Sequence, residues 1–125
     1  MKNFNIPFGK HGEELAAEYL KKNGYQILEC NHRNKLGEMD IIAEEKGTVC
    51  FVEVKTRKGG KSGLPFESIP FWKQQKLAKT ALWYLTANGL LDHNARFDVV
   101  SVLPAPDSGL TEIQVLKDAF EMPFR

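Results

Sequence analysis

Asp40-Ile41-Ile42-Ala43-Glu44-Glu45-Lys46-Gly47-Thr48-Val49-Cys50-Phe51-Val52-Glu53-Val54-Lys55 is the stretch on which the fold of this chain turns. Val49, Phe51, Val52 and Val54 give Thr48 to Lys55 the nearly continuous β-branched and aromatic content of a strand buried on both faces. Glu38 to Ala43 reads as a second strand, and Glu44-Glu45-Lys46-Gly47 between them as a hairpin turn. A hairpin closed by a four-residue turn at 45–48 sets Glu44 opposite Val49, and hence Asp40 opposite Glu53. Opposed residues project to one face of a sheet with Cβ atoms about 5 Å apart. Lys55, two residues beyond Glu53, follows onto that face by the pleat. A slip of one residue would undo the arrangement.

Working outward, Tyr25 to Cys30 forms another strand before this hairpin. It is preceded by a helix from about Lys10 to Asn23, with Gly24 placed as its terminator. Leu15, Ala16, Ala17, Tyr19 and Leu20 fall on one side of that helix, and Glu14, Glu18, Lys21 and Lys22 on the other. Glu13 breaks the pattern: it stands three, four and seven residues before Ala16, Ala17 and Leu20, so it points with the apolar stripe. An inward carboxylate needs a partner. After the hairpin comes a glycine-rich loop, Gly59 to Pro65. A second helix follows from Pro70 to Asn88-Gly89, with Leu77, Ala78, Ala81, Leu82 and Leu85 as its buried stripe. Arg96 to Val102 and Glu112 to Leu116 are the last strands. The order αβββαββ predicts one α/β domain over residues 1–125, a mixed central sheet flanked by helices.

At 125 residues the chain is long enough to bury a core without staples. No apolar run approaches the length of a membrane span, and Met1 to Lys10 lacks the apolar segment of an export signal, so a cytoplasmic protein is expected. Cys30 and Cys50, both among apolar neighbours, are expected to be reduced core residues. Net charge is only +1, but it is unevenly spread. Lys55, Arg57, Lys58, Lys61, Lys73, Lys76 and Lys79 stand against the single acid Glu67 within residues 55–79. A basic stretch in a near-neutral chain suits a polyanion-facing surface. Arg57, Lys58, Lys61, Lys73, Lys76 and Lys79 are the candidate phosphate contacts.

Two carboxylates side by side in an apolar sheet repel each other and resist dehydration, which points to a cation between them. Hard oxygen donors suit Mg²⁺ or Mn²⁺, which keep waters and accept substrate phosphate oxygens. Asp40 and Glu53 are the expected ligands, assisted by the backbone carbonyl of Val54. Lys55 would orient the attacking water or offset charge, and Glu13 would add a ligand or a water contact.

These residues carry a resemblance. Asp40 and, twelve intervening residues later, Glu53-Val54-Lys55 are similar to the PD-(D/E)xK signature of restriction-endonuclease-like enzymes. Met39 stands where a proline often precedes the aspartate. Gly12-Glu13, Ala16-Ala17, Tyr19-Leu20, Gly24-Tyr25, Gly37 to Ala43, Phe51 to Arg57 and Arg96 to Val100 extend the pattern over nearly the whole chain. It resembles the YraN-like family of small bacterial proteins, related in fold to archaeal Holliday junction resolvases. That resemblance implies a restriction-endonuclease-like core with Glu13, Asp40, Glu53 and Lys55 at the motif positions. The expected activity is metal-dependent hydrolysis of DNA, branched or junction DNA included. A resolvase-like mode favours a homodimer.

Two other classes compete: a nucleic-acid-binding module with little turnover, and an interaction protein with a disused site. Unused buried charges cost stability, which weighs against the last. Among single residues, Asp98 is expected in a structural hydrogen bond or ion pair, Glu38 in solvent or supporting a ligand rather than ligating directly, and His11, His32 and His93 at the surface. Trp83, on the side of the second helix that carries Lys73, Lys76 and Lys79, is expected to cover a neighbouring element or a dimer contact rather than to stack on a base.

Overall fold

The structure, a computed structural model, describes residues 8–56, 69–105 and 110–122. Its elements run α1 (Phe8–Lys22), β1 (Gln26–Asn34), β2 (Gly37–Glu45), β3 (Thr48–Thr56), α2 (Phe71–Ala87), β4 (Asn94–Ala105) and β5 (Leu110–Leu116). This is the expected αβββαββ order. The strands form one mixed sheet in sequence order. β1, β2 and β3 make an antiparallel meander, β4 joins β3 in parallel after α2, and β5 returns antiparallel. A parallel neighbour requires a crossover, and α2 supplies it. The arrangement is that of a restriction-endonuclease-like core.

Both helices end where glycine permits a left-handed turn. At the end of α1, Gly24 has φ 95°, Tyr25 N–H bonds Leu20 O at 3.0 Å and Gly24 N–H bonds Lys21 O at 3.3 Å. That pair of bonds satisfies carbonyls the helix leaves open. The β2–β3 turn is tighter than the four residues read from the sequence suggest: Glu45 pairs with Thr48, leaving Lys46 and Gly47 as the loop. Their φ values of 51° and 84° match the two-residue turn whose twist suits a hairpin. The register is the expected one, with Glu44 opposite Val49 and pairing continuous to Ile41 opposite Val52.

The sheet is buried on both faces. Ala16 and Leu20 of α1 pack with Ile41, Ala43, Cys50, Val52, Val100 and Val102. Leu77, Ala78, Ala81 and Leu85 of α2 pack with Met39, Ile42, Val49, Phe51, Phe97 and Val99 on the other side. Strict alternation along β3 divides its side chains between these layers. β2 departs from it, since Met39 joins the α2 layer although Ile41 belongs to the α1 layer. The strand therefore rotates between them, at Asp40.

Several surface expectations are corrected. His32 is buried, its Nδ1 2.9 Å from Glu29 and its ring edge-on to Tyr84. Cys30 is exposed, because β1 is an edge strand, whereas Cys50 is in the core as expected. At the β2–β3 turn end, buried Asp98 accepts hydrogen bonds from Tyr25 Oη (2.9 Å), Arg96 Nε (2.9 Å) and the Asp118 N–H (3.0 Å). Arg96 and Lys117 both hold Glu45, which keeps its carboxyl below the usual range. These bonds are the structural role expected of Asp98. No helix among the described residues is long and apolar enough to cross a membrane.

Candidate functional site

Asp40 lies where the sheet loses its regular pairing. Pairing with β3 stops at Ile41, and pairing with β1 passes from Cys30–Ile41 to His32–Met39 without it. Asn31, between those two pairs, takes a left-handed φ of 54°. In place of a ladder bond, the carboxylate accepts the Val54 N–H, Oδ2 to N 2.8 Å. The expected Asp40–Glu53 pair is thus not part of the ladder, which ends one pair earlier, and the Asp40 carboxylate reaches across to the Val54 N–H instead.

Glu53 and Lys55 continue the parity of Val49 and Phe51, which directs them to the α2 layer. Both are half-buried. Glu53 is held by Lys73 of α2, Nζ to Oε2 2.7 Å. Asp40, Glu53, Trp72, Lys73 and Lys76 line a cleft of about 300 Å³ on this side. Asp40 also borders a cavity of about 340 Å³ against α1, which it shares with Glu13, His11 and Asn31. Glu13 is brought there because α1 touches the end of β3. Gly12 is buried, and a methyl group on it would land on the Thr56 side chain.

The charges respond as their placement requires. Removal from water, the adjacent Glu53 and, more weakly, Glu13 push the Asp40 carboxyl up to about 7, against the Val54 N–H and Lys73. A carboxyl so placed binds either a proton or a cation near neutral pH. Among the described residues no three His, Cys, Asp or Glu side chains converge as a ready-made metal cage. Two carboxylates are nonetheless a donor set that Mg²⁺ accepts, since it completes its shell with water and phosphate oxygens. Asp40 and Glu53 fit that use, with Lys73 standing as the positive partner of Glu53.

The predicted residues thus divide. Asp40, Glu53 and Lys73 are gathered, Lys55 shares the face of Glu53, and Glu13 lines a cavity with Asp40 from the α1 side. Val54 contributes its N–H to Asp40. Lys76 and Lys79 are exposed, and Arg57, Lys58 and Lys61 lie outside the described residues. Glu38 is exposed as expected, with Arg33 at 3.2 Å. Sequence reading passed over Trp72, and it placed His11 at the surface. In the structure His11 is half-buried, with Nδ1 buried and without a hydrogen-bond partner. An aromatic next to the first lysine of a basic helix was the available signal for Trp72. For His11, one residue before Gly12-Glu13, there was none.

Residues 12–102 match the family described as "Uncharacterised protein family UPF0102". A UPF0102 protein of Syntrophus aciditrophicus is 46% identical over 96% of this chain and 93% of its own length. One from Geotalea uraniireducens is 46% identical over 96% of this chain and 94% of its own. One from Caldicellulosiruptor bescii is 47% identical over 90% and 95%. With Glu13, Asp40, Glu53 and Lys55 all inside the matched span, this chain belongs to the UPF0102 family, which the YraN-like resemblance fits.

Proposed function

We propose that this protein is a divalent-metal-dependent endonuclease that hydrolyses phosphodiester bonds in DNA, with Asp40 and Glu53 holding Mg²⁺ or Mn²⁺. The observation that carries the reading is Asp40 itself. It is a carboxylate pushed up to about 7 by burial and by Glu53, at a break in the sheet open to a cleft. When bound, the metal supplies Lewis acidity toward a phosphate oxygen and acidifies a water. The remaining work belongs to the chain. The Val54 N–H fixes the orientation of Asp40. Lys55, on the face of Glu53, would hold the attacking water or offset charge on the phosphate. Glu13, which borders the same cavity as Asp40 from α1, would accept a proton from that water or hold a second one. Lys76 and Lys79 offer phosphate contacts along α2.

The test is cleavage of labelled linear and branched DNA with Mg²⁺ or Mn²⁺, beside calorimetric metal titration. Cleavage is expected to vanish in chelator and to fall at least about 100-fold in Glu53→Gln and Lys55→Ala. No cleavage of any substrate, together with no metal binding even when DNA is present, overturns the proposal. A second reading, a nucleic-acid-binding module without turnover, has one observation in its favour: Lys73 already neutralises Glu53 with no metal needed. Salt-sensitive DNA binding without metal-dependent cleavage would select it.

A further inference from the structure

Trp72 lies in the first turn of α2 with 65% of its surface exposed, and it lines the cleft that holds Asp40, Glu53 and Lys73. Such exposure is costly for the largest apolar side chain. The helix does not need it for packing, since α2 buries Leu77, Ala78, Ala81, Tyr84 and Leu85 against the sheet. Trp72, Lys76, Lys79 and Trp83 recur at intervals of four, three and four residues, so they form one stripe about 16 Å long. All four are exposed, and α2 contains no acidic residue. The two tryptophans differ in their surroundings. Trp83, 38% exposed, has the His32 ring 6.4 Å away and covers β1 as expected, whereas Trp72 opens onto the cleft.

An indole face beside phosphate-binding lysines suits a nucleobase. Intact duplex does not offer one, because its base faces are already stacked and only groove edges and phosphates are presented. We propose that Trp72 stacks on an unpaired base, so that the substrate class is DNA with at least one unstacked nucleotide beside the bond to be cut. Lys76 and Lys79 then take the phosphates of the strand that runs along α2. This rests on the endonuclease reading, and it names the substrate that reading leaves open.

The experiment uses the full chain carrying Trp83→Phe, which leaves Trp72 as its only indole. Fluorescence is followed during titration with oligothymidylate, a duplex with splayed ends and a blunt duplex, in chelator to prevent cleavage. Oligothymidylate and the splayed duplex are expected to quench Trp72, and the blunt duplex to leave it unchanged. In the otherwise wild-type chain, Trp72→Ala should weaken binding of the splayed duplex between about fivefold and a hundredfold, and Trp72→Phe should restore most of it. Thermal melting confirms that each variant folds. Equal quenching by blunt and splayed duplex, or binding of the splayed duplex unchanged by Trp72→Ala, overturns the stacking inference. It does so without touching the endonuclease reading if metal-dependent cleavage persists. Absence of both binding and cleavage with every DNA overturns both.

Discussion

Replacing Asp40 by asparagine should make the metal-free protein more stable while removing its response to Mg²⁺. Asparagine keeps the oxygen that accepts the Val54 N–H and removes the charge that burial and Glu53 oppose. A carboxyl raised from 3.8 to about 7 costs the folded state about 4 kcal/mol at neutral pH relative to the unfolded chain. Water reaching the cleft screens the charges, so about 2 kcal/mol is the working figure. In a domain of this size that corresponds to a rise of roughly 5–10 °C in Tm. The pH dependence has a definite sign. The native carboxyl holds its proton more tightly than the unfolded one, so wild-type stability falls as pH rises from 3.8 to about 7. The gap between variant and wild type should be full at pH 8 and nearly gone by pH 4. Differential scanning fluorimetry across that range, with and without Mg²⁺, reads all of this. Metal at a hundred times its Kd should add about 2.7 kcal/mol to the wild type and nothing to the variant. A variant that is less stable than wild type at pH 8, or a gap that does not close in acid, would refute the reasoning.

Three further outcomes follow from the packing. Gly12→Ala should destabilise the fold by about 1–3 kcal/mol in urea unfolding, because its methyl meets Thr56 at the α1–β3 contact. Asp98→Ala should cost about 3–5 kcal/mol by the same measurement, since it leaves Tyr25 and Arg96 facing a lost charge. Lys73→Ala should lower the stability of the metal-free protein but tighten Mg²⁺ binding several-fold by calorimetry, because the ion no longer competes with the ammonium for Glu53. Weaker Mg²⁺ binding in that variant would assign Lys73 a different role.

The hairpin was legible because its signals agree: β-branched strands, a turn signal in Glu44 to Gly47, and an apolar pattern compatible with one register. The nearness of Asp40 and Glu53 follows from that register. The break in β2 was not legible, since alternation assumes a regular strand and nothing in Met39-Asp40-Ile41 announces a rotation. Asn31, a non-glycine residue at positive φ, is equally silent in sequence. The lysines of α2 show a different limit. Residues three apart drift by about 60° per step, so Lys73 and Lys79 point roughly 120° apart. Lys73 turns to the sheet while Lys76 and Lys79 stay in solvent. Which of them meets Glu53 depends on how α2 sits on the sheet, and that is set by tertiary packing. Arg57, Lys58 and Lys61 fall outside the described residues.

The same lysine resolves a tension in the site. A pair of carboxylates arranged to receive a cation is poorly stable without one, and the fold must persist in both conditions. Asp40 is offset by a backbone N–H that stays in place whatever is bound, whereas Glu53 is offset by a side chain with four rotatable carbons that is free to leave. On the proposed reading, a metal at Asp40 and Glu53 displaces Lys73 into the cleft shared with Trp72 and Lys76. The displaced ammonium would then become available to a phosphate as the metal arrives. Metal and nucleic acid would therefore bind with positive coupling, each tightening the other by the same factor. That coupling should shrink in Lys73→Ala, since in that variant only direct contact between the metal and a phosphate oxygen is left to link the two ligands.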